Sequence, residues 1–76
     1  MNNDRRKRLN EVKEKIAAIL CTIEEIRDEE EAAYENLPET LQESERGEKM
    51  HEAVEGLQDL YDNLESAADD IESIIE

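Results

Sequence analysis

Phenylalanine and tryptophan are absent from this 76-residue chain, which has two Tyr, two Gly, one Pro and one Cys. Leu, Ile and Val together number 16 of the 76 residues. That fraction, roughly 21%, stands just above the range in which chains stay disordered, so a broad mixed core is excluded. One Cys supports neither a disulfide framework nor a thiolate zinc site, and it fits a reducing compartment. Long hydrophobic runs are missing too. The most apolar stretch, Ile16 to Ile23, is far short of the ~20 residues that cross a bilayer. Arg5-Arg6-Lys7-Arg8 ahead of it imitates the start of a signal peptide. However, Glu11, Lys13, Glu14 and Lys15 interrupt the approach, and Glu24-Glu25 stand where small cleavage-site residues belong. A cytoplasmic protein without a membrane partner is the expectation.

Cations are scarce as well. Nine Lys and Arg face 23 Asp and Glu, for a formal net charge of −14. Such acidity argues against direct binding to nucleic acid or anionic lipid and points to a protein partner with a basic surface, or to solubility alone.

What the chain does have is periodicity. Leu9, Val12, Ile16, Ile19, Ile23, Ile26, Ala33 and Leu37 recur at alternating three- and four-residue steps, with Glu30 the one polar intruder. Met50, Ala53, Leu57, Leu60, Leu64, Ala67, Ile71 and Ile74 continue the pattern after a break at Asn36-Leu37-Pro38-Glu39-Thr40. These are the a and d positions of a heptad repeat, which overrides the compositional lean toward disorder. Pro38 lacks the backbone donor that a helix interior needs. The pattern predicts an all-α chain forming a single helical-hairpin domain over residues 1–76. The first helix spans about 4–36, the connector about 37–43 and the second helix about 44–76. Ser44 is a candidate N-cap, Thr40 with Glu43 a candidate capping box, and Pro38 suits the first position of a short helical turn. Folding about the connector pairs residues whose numbers sum to about 83. That register puts Arg5 to Arg8 beside Asp69, Asp70, Glu72 and Glu76. The expected core is Val12, Ile16, Ile19, Ile23, Ile26, Leu57, Leu60, Leu64 and Ile71.

The apolar stripe is wider than one seam. Leu20 and Tyr34, and Val54, Tyr61, Ala68 and Ile75, extend it at e positions, the width expected of a bundle. Ala17, Ala18 and Cys21 fall on faces that should meet water. These nine residues are the candidate oligomer interface. A second copy, giving a homodimeric four-helix bundle, is the simplest cover, and a heterologous partner would serve equally.

Few constellations carry chemistry. Glu48-Lys49-Met50-His51 has the Glu-x-x-His spacing of di-metal bundles, but both residues lie outside the seam, so a surface histidine is the reading. Cys21 reads as a small packing residue. Glu30 marks a seam opening or reaches Lys49 or Arg46, and Gly56 costs ~1 kcal/mol against Ala within a helix. Without a nucleophile–base arrangement, phosphate loop or ligand cluster, no enzyme activity, cofactor or metal is expected. The acidic row is the informative feature. Glu45, Glu48, Glu52, Glu55, Asp59, Asp62, Asp69 and Glu76 lie opposite the second seam, broken by Ser66 and Ser73 but by no cation. Glu45, Glu48, Glu52, Glu55, Asp59, Asp62 and Asp69 are the candidate partner-binding residues. Like charges three or four apart repel by a few tenths of a kcal/mol per pair. The row is either an anionic rod that mimics DNA toward a basic partner or a coat that keeps the helix solvated.

The stretch Tyr34-Glu35-Asn36-Leu37-Pro38-Glu39-Thr40-Leu41-Gln42-Glu43-Ser44-Glu45-Arg46-Gly47-Glu48, with the repeating Glu-Ala and Leu positions after it, resembles short acidic helical proteins of phages and prophages of Gram-positive bacteria. The resemblance covers about residues 30–76. It implies a mobile-element setting in a bacterial host cell, where small acidic proteins bind and block enzymes or regulators that handle nucleic acid. It carries over no site residues. An accessory protein of that kind is the expected function, and a structural or assembly module acting through its apolar seam is the alternative.

Overall fold

The computed structural model describes residues 1–76. It is all-helical: α1 spans Asn3–Glu35, α2 is the single turn Glu39–Gln42, and α3 spans Glu45–Ile75. Local chemistry sets each boundary. The Asn2 side chain accepts the Arg5 backbone N–H at 2.9 Å and starts α1. Pro38 is the N-cap of α2 (φ −55°, ψ 147°), so the turn begins one residue later than a proline in the first helical position would give. Thr40 lies inside that turn and caps nothing. Ser44 caps α3, its hydroxyl accepting from the Gly47 N–H at 3.4 Å.

The connector closes tightly. Leu41 and Gln42 N–H groups both donate to the Pro38 carbonyl, at 2.8 and 3.0 Å, and the Gln42 side chain donates to the Tyr34 carbonyl at 3.2 Å. Gly47 is buried against this turn. A Cβ there would lie 2.5 Å from the Leu41 carbonyl oxygen and nearer still to that of Gln42. The first turn of α3 can sit on the connector because Gly47 has no side chain.

α1 and α3 run antiparallel along a rod whose Cα extents are 58 × 15 × 12 Å. Arg6 with Ile75, Lys13 with Glu72, Arg27 with Gln58, and Tyr34 with His51 meet across it, and their numbers sum to 81–85. The expected value near 83 falls within that span.

The rotation of the helices differs from the heptad reading. Ile16, Ile23, Leu57, Leu64 and Ile71 lie between the helices, and Ile23 is the one apolar side chain that is buried, at 8% exposure. Val12, Ile19, Ile26 and Leu60, expected in the core, are instead 42–49% exposed. Their places are taken by residues one step further along each helix: Lys13, Leu20, Arg27 and Tyr34 on α1, and Val54, Tyr61, Ala68 and Ile75 on α3. Each helix is thus turned by about 50° from an a/d seam, given 100° per residue.

Two causes account for this. On α3 the e row carries Val54, Tyr61 and Ile75, which outweigh Ala53, Leu60 and Ile74 in volume. On α1 the corresponding row holds long cations that bury their methylene stems and keep their heads wet. Arg6 Nε donates to the Ile75 carbonyl at 3.2 Å, satisfying an end group of α3. Lys13 reaches Glu72 at 3.9 Å. Arg27 donates to the Gln58 side chain and holds Asp28 at 3.0 Å. The Asp28 hydrogen bond raises the already high pKa of Arg27. Partial burial raises that of the Tyr61 phenol, assisted by Glu24 and Glu65.

Candidate interaction surfaces

Three surfaces are open on this rod. The first is the acidic row. Glu45, Glu48, Glu52, Glu55, Asp59, Asp62, Asp69 and Glu76 are all exposed on the side of α3 that faces away from α1. Two side chains of α3 itself touch the row: the Lys49 ammonium at 3.4 Å from Glu45, and the His51 imidazole at 3.0 Å from Glu55. Asp62 accepts from Gln58 at 2.9 Å. Glu48, Glu52, Asp59 and Asp69 have no ion-pair partner within 4.0 Å. The row is therefore a run of solvated carboxylates, ~5–6 Å apart along the helix.

The second surface is apolar. Val12, Ile19 and Ile26 form one row on α1, and Ala53, Leu60 and Ile74 form another on α3. In an antiparallel pair whose seams use a and e positions, the d positions of both helices point to the same side. The two rows therefore share one face of the hairpin. Leu60 and Ile74 are 46% and 56% exposed. Contiguous apolar surface of this kind marks a contact site.

The residues expected to form an oligomer interface divide differently. Leu20, Tyr34, Val54, Tyr61, Ala68 and Ile75 are half-buried between α1 and α3, so they build the hairpin itself. Ala17, Ala18 and Cys21 remain exposed on α1, away from the seam. Sequence reasoning missed Gly47 as the residue that seats the connector. It also missed Arg27–Gln58 as a polar bridge across the seam. The signal for both was present: a glycine three residues after an N-cap serine, and an arginine seven residues after Leu20 and seven before Tyr34.

The third surface is a pair of shallow clefts. One, beside the connector, is lined by Glu30, Glu45, Arg46, Lys49 and Met50. Glu30 is half-buried there and shares the cleft with both cations without closing an ion pair to either. The other, at the opposite end, is lined by Met1, Arg5, Arg8, Leu9 and Val12. The basic first turn is partly absorbed by the fold: Arg6 caps α3 and Arg8 pairs with Asp4 at 3.7 Å. Glu48 and His51 are both exposed, and no group of three or more His, Cys, Asp and Glu side chains gathers as metal ligands would. No helix is long and apolar enough to cross a membrane.

Comparison with family models, with curated proteins and with solved structures finds no match to this chain. Its functional reading rests on its own surfaces.

Proposed function

We propose that this chain is a non-catalytic protein-interaction module that binds a basic, nucleic-acid-handling protein of a bacterial host through the acidic row of α3. One observation carries the reading: the row is exposed, and Glu45 alone among its members pairs with a Lys or Arg, despite the repulsion between them. A helix selected only to stay solvated gains from interspersed cations, as Lys49 gains from Glu45. A row of carboxylates on a straight rod offers a basic groove the charge pattern of a nucleic-acid backbone, and it steers the encounter from a distance. A phage or prophage accessory role in the host cytoplasm is the setting that suits such a module.

A second reading, an assembly module, is favoured by the apolar face of Val12, Ile19, Ile26, Leu60 and Ile74. Both readings are served by a homodimeric four-helix bundle that hides this face and leaves an acidic row on each flank. Capture from host lysate at low and high salt separates them. A DNA-mimic mode yields a basic partner that salt releases and duplex DNA displaces. Reversing Glu52, Glu55, Asp59 and Asp62 to Lys abolishes that capture while the helical circular-dichroism spectrum persists. A partner retained through high salt and through the four reversals assigns binding to the apolar face.

A further inference from the structure

We infer that the apolar face is covered by a second copy of this chain packed end over end, with α1 antiparallel to α1, α3 antiparallel to α3, and the two connectors at opposite ends. The inference rests on the dimer reading above and specifies its geometry.

Surface area argues that something covers the face. A compact chain of 8.8 kDa exposes about 4,800 Å². This one exposes 5704 Å². The excess, on the order of 900 Å², is close to the ~800 Å² that each partner buries in a stable interface. The face outline, 58 by 15 Å, has room for it.

Charge complementarity then selects the occupant. Beside the apolar row of α1 run Lys15, Thr22 and Glu29, basic toward one end and acidic toward the other. Beside the row of α3 run Lys49, Gly56, Asn63 and Asp70, with the same change of sign. In an antiparallel helix pair these flanking positions face each other across the seam. An end-over-end copy brings Lys15 opposite Glu29 of the second copy, and Lys49 opposite Asp70 of the second copy. In the same register Ile19 meets the partner row near Ile26, and Leu60 lies beside the two-fold axis. Lys15, Glu29 and Asp70 have no ion-pair partner within 4.0 Å in the hairpin, and Lys49 has one exposed intrahelical partner. A same-end arrangement keeps Lys15 opposite Asp70 but leaves Glu29 facing Gly56.

Sedimentation equilibrium on the full chain, combined with pulsed electron–electron distance measurement, tests the inference. A spin label is placed on the exposed connector by Thr40→Cys in a Cys21→Ser background. The expected result is a dimer with a label separation on the order of 50 Å, the length of α1. Lys15→Glu is expected to weaken dimerisation about tenfold, since two pairs are lost and two repulsions are made. Adding Glu29→Lys to it restores affinity. A dimer with labels within about 25 Å, short of the ~50 Å helix length, or a Lys15→Glu defect that Glu29→Lys leaves unrepaired, overturns the end-over-end arrangement and leaves the dimer standing. A folded helical monomer at high micromolar concentration overturns both.

Discussion

At the scale of single residues, the two glycines of α3 do opposite things. Gly47 is buried where any Cβ would strike the Leu41 and Gln42 carbonyls, both fixed backbone atoms of the connector. Gly56 has nothing within 4 Å of where its Cβ would lie. Gly47→Ala is therefore expected to destabilise the hairpin by about 2 kcal/mol, since the turn must shift and loosen the bonds that close it. Gly56→Ala is expected to stabilise it by about 0.5–1 kcal/mol through helix propensity. Thermal unfolding followed at 222 nm compares the two directly, and a neutral Gly47→Ala would mean that the connector does not pack on α3 as described. The propensity cost of Gly56 was legible in the sequence, whereas the position of Gly47 after the Ser44 cap marked it without showing what it packs against. Only the distance to the connector separates them.

At the scale of the elements, the seam is unusual in being bridged by polar groups near its middle. Arg27 on α1 and Gln58 on α3 bond across it, and Arg27 is held by Asp28 at 3.0 Å and Glu24 at 3.8 Å. A polar layer of this kind favours one register, because sliding either helix by one heptad sets the Gln58 amide opposite Leu20 or Tyr34 and breaks its bond to Arg27. A double-mutant cycle with Arg27→Ala and Gln58→Ala is expected to give a coupling energy of about 1 kcal/mol. A coupling near zero would show that the bridge is incidental and that packing alone sets the register. The periodicity of the sequence places two helices and the break between them. It leaves their rotation undetermined, since a, d and e positions are all apolar on α3 and the choice between d and e depends on both helices at once.

At the scale of the whole molecule, the balance of charge is the dominant fact. Five ion pairs of Lys or Arg lie within 4.0 Å, and the one between Lys13 and Glu72 alone joins α1 to α3. Against these stands a net charge of −14 gathered on a thin rod. Repulsion among exposed carboxylates is long-ranged at low salt, where the Debye length is about 30 Å at 0.01 M, and shrinks to about 3 Å at 1 M. Adding salt is therefore expected to raise the unfolding temperature. A gain of about 1 kcal/mol corresponds to a rise of about 4–8 °C for a chain of this size. A fall in unfolding temperature with salt would show that the few ion pairs outweigh the repulsion.

The sequence by itself determined the helical class, the break at Pro38, the Ser44 cap, and the existence of an acidic row on α3. Each of these depends on residues within a turn or two of one another, so local propensity and spacing suffice to read them. The tertiary structure alone decided which apolar rows meet inside the hairpin and which are left outside. That choice is set by nonlocal terms: the volume of Val54 and Tyr61 against Ala53 and Leu60, the long cations of α1 reaching α3, and the close seat of Gly47 on the connector. It turned Leu20, Tyr34 and Tyr61 inward and left Val12, Ile19, Ile26 and Leu60 facing out. A heptad pattern records how far apart apolar residues are along a helix, and two helices in contact must still settle how far each is rotated about its own axis.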